Sequence, residues 1–202
     1  MSRRGFTRAL HVPAQPARMK PIARLLIVLA VVLTGCAMTP TLPPLRSEAQ
    51  IDLPRFMGAW HVIANIPYWP ERGKVATRDE YTLLSDGRVE NTYVFRKDFD
   101  GEEKRWQGTS RIVDGTGNAH WKVRFIWPFT ADSIILEVDP EYRWALLGDP
   151  KRTHAWIFSR DAAMDAALYA DLRERFRRYG YDPADLLRIA QVSSQVGQPG
   201  FQ

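Results

Sequence analysis

Eight short segments with strand character follow one another between residues 57 and 159, and their close spacing strongly constrains the fold. Asp86-Gly87 and Asp114-Gly115 lie in the links and favour antiparallel hairpins. Such strands leave exposed edges unless the sheet closes on itself. The sequence therefore predicts an all-β fold, an eight-stranded antiparallel up-and-down barrel. The predicted strands cover residues 57–66, 78–84, 89–95, 105–113, 120–125, 133–138, 144–148 and 154–159.

One amphipathic helix is predicted after the last of these strands. Asp161 is expected to cap it and Gly180 to end it. We expect it to pack on the outside of the barrel, because residues 133–138 and 144–148 are apolar on both faces. A short ninth strand is predicted within residues 186–189. The apolar face of the helix recurs at every fourth position: Met164, Leu168, Leu172 and Phe176.

The first 35 residues have the features of a secretory signal peptide, with Met19 as an alternative start. Lys20 and Arg24 precede an apolar run, residues 25–33, that is too short to span a bilayer comfortably. The Leu-Thr-Gly-Cys sequence ending at Cys36 resembles the bacterial lipobox, which implies cleavage before Cys36 and acylation of its thiol, palmitate included. The alternative is an ordinary buried cysteine that follows a leader.

The remaining boundaries follow from composition. Residues 36–50 contain three prolines and are predicted to be a lipidated tether. Residues 51–192 are predicted to form the folded domain, and residues 193–202 a flexible tail.

The net charge of +5 belongs to the leader rather than to the folded part. Six of the 28 Lys and Arg residues precede residue 36, where there are no acids, so 22 bases remain against 23 acids and leave a charge of −1. No basic cluster with interleaved aromatic residues remains, and nucleic acid is not expected as a partner. Cys36 is the only cysteine, and His61, His120 and His154 are not at metal-ligand spacing. No metal or cofactor is expected.

The barrel interior is predicted to be apolar and aromatic. Residues 120–125 alternate between a dry and a wet face. Such a wall, with hydroxyl and indole N–H groups, suits an acyl chain whose head group lies at the mouth, where His154 is also placed. The alternative, that these aromatic residues fill a solid core, stays open. The residues assigned to the interior, and so to ligand binding, are Tyr81, Trp106, Trp121, Val123, Phe125, Trp156 and Phe158.

Two motifs at the ends of the domain point to a family. Gly58-Ala59-Trp60 opens the first strand, and Trp156-Ile157-Phe158-Ser159-Arg160 ends the eighth. With the strand order and the pairs Lys122-Val123 and Pro128-Phe129, they resemble the lipocalins, above all the bacterial outer-membrane lipocalins related to apolipoprotein D and to plant temperature-induced lipocalins. The resemblance implies a lipocalin barrel with one external C-terminal helix. It also implies that Trp60 closes one end and that Arg160 packs over its ring.

The resemblance implies a lipid-anchored lipoprotein of the Gram-negative outer membrane, an address that Ala37 after Cys36 also favours. It would store or transport fatty acids or lysophospholipids, with a role in membrane maintenance under stress, and Trp156 would line its pocket. No catalytic residue is expected, because enzymes with lipocalin-like barrels need a nucleophile or redox cysteine in the cup. A structural or interaction protein with a filled barrel and a binder of haem or another small hydrophobe remain alternatives. The oligomeric state stays open, a homodimer included.

Overall fold

The strands pair in the order in which they occur along the chain, and the sheet closes on itself. The computed structural model of the protein describes residues 42–201, so Cys36 and the predicted leader lie outside the described residues. Strands β1 to β8 form antiparallel neighbours, and β1 pairs with both β2 and β8. This closed up-and-down barrel confirms the predicted fold class. The bounds of β1 to β8 are Gly58–Ile66, Val75–Leu83, Val89–Arg96, Lys104–Ile112, His120–Arg124, Ala131–Val138, Trp144–Gly148 and Ala155–Ser159.

Three strands, β2, β4 and β6, start earlier than predicted, and β2 differs most. β2 begins at Val75 rather than at residue 78, because its pairing with β3 shifts register between Val75 and Arg78. Ala76 lies at this shift with a φ of 49°. The irregularity interrupts the alternation on which the prediction depended.

The chain after the barrel returns to its wall. A ninth strand, β9 (Leu187–Arg188), pairs with β1 inside the range predicted for it. Phe201, in the predicted flexible tail, forms a parallel bridge with Arg188, whose guanidinium lies 4.5 Å from the centre of the Phe201 ring. The C-terminal segment therefore contacts the folded part at this point.

Two α-helices accompany the strands in residues 42–201. α1 (Leu53–Phe56) precedes β1 and was not predicted, because four residues are too few to produce a periodic apolar pattern. α2 (Ala166–Arg175) is the predicted helix, but Asp165 caps it instead of Asp161. Two amides of its first turn donate to the Asp165 carboxylate at 2.9 and 3.0 Å. Asp161 lies only two residues after the end of β8 and four before Asp165, and its N–H donates to Ser159 Oγ at 3.1 Å.

The helical segment ends where the sequence predicted. α2 continues into a 3-10 turn, and Gly180 then ends it with a φ of 81°. Leu172 and Phe176 are fully buried against the outer face of the barrel, where Ile134, Leu146 and Ile157 meet them. In the described part of the chain, no helix combines the length and the apolar character that crossing a bilayer requires.

Trp60 closes the end of the barrel at which β1 begins. Its side chain is fully buried, and its indole N–H donates to the carbonyl of Phe56 at 2.8 Å while the two rings lie 5.0 Å apart. Arg160 covers the indole with its guanidinium carbon 3.7 Å from the ring centre. The same guanidinium donates to the carbonyls of Ala59 and Arg55 at 2.8 and 2.7 Å. The stack predicted for Trp60 and Arg160 is therefore present, with added hydrogen bonds.

Gly58 is required by this arrangement for two reasons. Its φ of 94° lies in a region that residues with a side chain rarely adopt. A Cβ at this position would also lie only 3.3 Å from Nη1 of Arg160. Glycine therefore lets the start of β1 pass beneath the guanidinium.

The closed end generates a prediction about stability. Replacing Trp60 by Ala removes a buried indole and should lower the free energy of unfolding by about 3 to 5 kcal/mol. Arg160→Ala should cost less but remain clearly measurable, because a cation over a partly desolvated indole contributes about 0.5 to 2 kcal/mol and the Arg55 and Ala59 carbonyls lose their donors. Urea denaturation of each variant measures these losses. Arg111→Ala is the matched control, because Arg111 is exposed on β4.

The order of stability among the Arg160 variants tests whether the geometry of the stack on Trp60 contributes to stability. Arg160→Lys should fall between the parent protein and Arg160→Ala, since an ammonium keeps the charge but not the planar fork. An Arg160→Ala variant as stable as Arg111→Ala would contradict an energetic role for the stack.

Candidate functional site: a cavity at the open end of the barrel

The end of the barrel opposite Trp60 opens into a cavity of about 320 Å³. Ligand pockets have volumes of roughly 300–1,000 Å³, so this one lies at the lower end of the range. β2 to β8 contribute wall residues, and so do the loops that follow β1 and β5. The barrel therefore leaves interior space that its side chains do not fill.

Six of the eight predicted ligand-binding residues come together around this cavity. Three of them are buried and Val123 is partly buried, whereas Trp106 and Phe125 lie near the mouth with 43% and 39% of their surface exposed. An apolar aromatic surface thus extends from the interior to the opening. These six residues are Tyr81, Trp106, Val123, Phe125, Trp156 and Phe158.

Trp121 and His154, the other two predicted residues, do not line the cavity wall. Trp121 is directed into the core cluster of the closed end: its ring packs edge-on against Tyr81 at 5.3 Å, and its N–H donates to the carbonyl of Asn118 at 2.7 Å. His154 stacks on Tyr68 with ring centres 3.6 Å apart and pairs its Nδ1 with the hydroxyl of Thr153. Trp121 supports the floor of the cavity, and His154 supports one side of its mouth.

Three carboxyl groups line the cavity, those of Glu71, Asp79 and Asp132, and none of them was predicted from the sequence. Glu71 comes from the loop after β1, and Asp79 comes from β2. The loop was expected to cross the mouth without entering the barrel. The signal for Asp79 was available, because Asp79 and Tyr81 are two residues apart on one strand and therefore share a face. Because interior positions were predicted from apolar side chains, the charged side chain of Asp79 was not assigned to the interior.

Glu71 is held by three hydrogen bonds. Its carboxylate accepts from the backbone N–H of Tyr68 at 3.0 Å, from Nδ2 of Asn65 at 3.1 Å and from the indole N–H of Trp156 at 3.4 Å. Burial nevertheless raises the pKa of Glu71 to about 7, because desolvation of the charged form outweighs these donors. Glu71 therefore exchanges its proton near neutral pH.

Asp79 has a different environment from Glu71. Burial raises the pKa of Asp79 well above its usual value, and the nearby charge of Glu71 raises it further. Burial and the two carboxylates also raise the pKa of Tyr81 and of Tyr93. Because no lysine, arginine or histidine of residues 42–201 lines the cavity, the described inner wall has no basic group to balance Glu71 and Asp79.

The rim around the mouth is apolar. Trp69 in the loop after β1 and Trp127 in the loop after β5 are 83% and 79% exposed. Ile126 and Phe129, also largely exposed, belong to the cavity lining as well. The opening therefore presents a belt of large hydrophobic side chains to the outside.

The cavity carries no arrangement suited to metal binding. Within residues 42–201, no three His, Cys, Asp or Glu side chains are grouped so that they could hold a metal ion. His120 pairs with Asp132 at 2.6 Å, and Lys122 pairs with the same carboxylate at 2.5 Å. Asp132 also lines the cavity, so its carboxylate is held there by Lys122 and by the His120 ring.

Glu71 makes the stability of the empty protein depend on pH. Its folded-state pKa of about 7 exceeds the ordinary value of 4.5, so the folded chain binds more protons than the unfolded chain between these values. Stability from this group is therefore present at low pH and falls as the pH rises from about 4.5 through 7. Glu71→Gln should flatten this decline in urea midpoints measured from pH 5 to 8. Glu48→Gln, at an exposed site, should keep it, and an unchanged slope in Glu71→Gln would contradict the assignment.

Comparison with known proteins agrees with this geometry. Temperature-induced lipocalin-1 of Arabidopsis thaliana is 34% identical over 152 residues, which cover 70% of this chain and 80% of the relative. The outer membrane lipoprotein Blc of Vibrio cholerae is 26% identical over 167 residues, 82% of this chain and 96% of its own.

Among solved structures, insecticyanin from the tobacco hornworm Manduca sexta has a TM-score of 0.59 at 20% identity, covering 77% of this chain and 87% of that one, which shows a shared fold. Residues 51–191 match the family described as "Lipocalin-like domain". The family match spans the whole barrel and α2. This chain therefore belongs to the lipocalin family.

Proposed function

We propose that this protein carries single-chain amphiphilic lipids, fatty acids or lysophospholipids, in the cell envelope. The observation that supports this most directly is the open cavity whose wall of Tyr81, Val123, Trp156 and Phe158 is apolar and aromatic. Burying an alkyl chain against such a wall is favourable at about 0.8 kcal/mol for each CH₂. Lipocalins as a family bind small hydrophobic molecules and are generally not enzymes, which agrees with this use of the cavity.

A single alkyl chain suits both the size and the opening of the cavity. The volume of about 320 Å³ is small for a bulky ligand but adequate for one flexible chain. An anionic head group would remain in the aqueous mouth, because the inner wall offers no cation to meet it. The exposed Trp69 and Trp127 at the rim are side chains that favour membrane interfaces, which suits direct exchange of lipid with a bilayer.

The other functions considered have less support. A filled barrel is difficult to reconcile with the cavity above Tyr81 and Phe158. Haem ligation by His154 would require the ring to leave its stack with Tyr68 and its contact with Thr153, and the ring does not line the cavity. Binding of a lipid chain, by contrast, requires no rearrangement of the apolar wall.

We also propose that the protein is anchored in the outer membrane through acylated Cys36. The Vibrio cholerae relative is named an outer membrane lipoprotein, and this chain has a leader followed by Leu-Thr-Gly-Cys at residues 33–36. Of the predicted tether, residues 36–50, Leu45 is buried against the barrel and its N–H donates to the carbonyl of Pro150 at 3.1 Å. Acylation of Cys36, nine residues before Leu45, would hold the folded part close to the membrane surface. Lipid storage or transfer during membrane stress is the physiological role that this arrangement suits.

The lipid-carrier proposal is tested by closing the cavity. Ala131 begins β6, lines the cavity and lies opposite Val123 in register, so Ala131→Trp should place a large ring across the cavity. In the leaderless, delipidated protein, calorimetry and tryptophan fluorescence should detect saturable binding of a long-chain fatty acid or a lysophospholipid. Ala131→Trp should weaken that binding at least about tenfold, equivalent to roughly 1.4 kcal/mol.

Ala170→Trp is the matched control, because Ala170 is exposed on α2. It adds the same ring and should leave affinity unchanged. A well-folded parent protein that binds no single-chain lipid would contradict the proposal and favour a filled barrel.

Anchoring is tested separately with the full chain. Cys36→Ser should abolish incorporation of labelled palmitate and move the protein out of the membrane fraction, because the serine hydroxyl does not accept the lipid. The parent protein, expressed in a Gram-negative host, is the reference. Unchanged labelling of the serine variant would contradict the lipobox assignment.

A further inference from the structure

The inner wall of the cavity carries polar groups that an alkyl chain does not use. Asp79 on β2 and Asn91 on β3 line the cavity and are 8% and 4% exposed. Within the described part of the chain, the Asp79 carboxyl has no hydrogen bond or ion pair, and Oδ1 of Asn91 has no hydrogen-bond partner. Buried acceptors without partners are costly, since they give up hydration and gain nothing in return. Their presence on a cavity wall therefore points to a ligand that donates hydrogen bonds.

The surroundings of Asp79 indicate the charge of that ligand. Glu71 approaches from the loop after β1, close enough for its charge to act on Asp79. Tyr81 faces the same space from β2, and Tyr93 faces it from β3. Tyr68 and the indole of Trp156 complete this side of the wall. Among residues 42–201, the cavity lining includes a third acid, Asp132, which is paired with Lys122 and His120, and it includes no base. Because Glu71 and Asp79 have no basic partner, an anion would be repelled there and a cation would be attracted.

The polarity of the cavity also sets the orientation of an amphiphile. The mouth is apolar, with Phe125, Ile126 and Phe129 exposed around it, whereas Asp79 is buried on β2 and Glu71 reaches in from the loop after β1. A molecule with a cationic end therefore fits with that end inward and its alkyl chain toward the mouth. A primary ammonium group offers three N–H donors, enough for Asp79, Asn91 and a third acceptor.

We propose that the inner cavity binds the primary ammonium group of a single-chain amphiphilic amine, with Asp79 and Glu71 as counterions and Asn91 as a hydrogen-bond acceptor. This inference rests on the proposed lipid-carrier function, because the alkyl chain of the amine occupies the same cavity. It assigns the site a ligand class and an orientation that differ from those of fatty acids and lysophospholipids. Entry of the ammonium group displaces a proton from the acids, because burial keeps them partly protonated in the empty cavity.

The test compares three ligands of equal chain length in the leaderless, delipidated protein near pH 7. Dodecylamine, dodecanol and dodecanoic acid are titrated by calorimetry below their aggregation concentrations. Dodecylamine should bind roughly tenfold or more tightly than dodecanol, as expected for a hydrogen-bonded charge pair. Its binding heat should vary with the ionisation enthalpy of the buffer, because a proton is released, whereas the dodecanol heat should not.

Asp79→Asn supplies the critical variant, since it removes the charge and keeps the shape. It should abolish the preference for the amine over dodecanol and reduce the proton release. Glu71→Gln should also reduce both effects, so the test does not depend on one variant folding. Asp114→Asn, at an exposed turn, is the matched control and should change nothing.

The outcomes separate this inference from the carrier proposal. If the parent protein binds dodecanol but shows no preference for dodecylamine and no proton release, the ammonium site is wrong and lipid carriage stands. If none of the three ligands binds, the carrier proposal fails, and the ammonium site fails with it. A preference that persists in Asp79→Asn and in Glu71→Gln would also overturn the inference, because the charge that attracts the amine would then lie elsewhere.

Discussion

The cavity depends on how firmly the opposite end of the barrel is closed. Trp60 is buried between Phe56 and Arg160, and the guanidinium of Arg160 joins the start of β1 to the segment before it through the carbonyls of Ala59 and Arg55. Cation, indole and backbone carbonyls therefore stabilise one another in one small region. Because this plug fills one end of the barrel, the unfilled interior space of the described part lies toward the other end, and the barrel is a cup that opens there.

The distribution of polar groups in this cup is the reverse of that expected in a pocket with an apolar interior and a polar mouth. Large apolar side chains such as Trp127 and Phe129 surround the mouth, and the acids Glu71 and Asp79 lie inside. The apolar rim suits contact with a membrane, and the wall between rim and acids suits an alkyl chain. The acids restrict which polar group can pass inward, because a buried carboxylate accepts hydrogen bonds and repels anions. The same cavity can therefore bind anionic and cationic amphiphiles with different affinities and orientations.

The sequence predicted the barrel and its closed end better than it predicted the site. Strand alternation, hairpin turns and the Trp60–Arg160 pair are local patterns, and barrel closure follows from the need to pair every edge. The cavity wall depends on tertiary context. Trp121 has the alternation of an interior residue, yet whether it lines the cavity or lies beneath it depends on Phe56 in a helix too short to predict. Glu71 enters the barrel from a loop, and a loop has no periodic sequence pattern from which its path could be predicted.

The most direct test of the account is the position of a bound ligand. We would crystallise the leaderless protein with a long-chain fatty acid brominated at its terminal carbon and locate bromine by anomalous diffraction. Because the carboxylate is expected to stay at the mouth, the bromine should lie inside the barrel, near Tyr81 and Trp156. Bromine bound only on the outer surface or at the rim, with side chains filling the barrel, would contradict the central claim that the cavity holds the lipid chain.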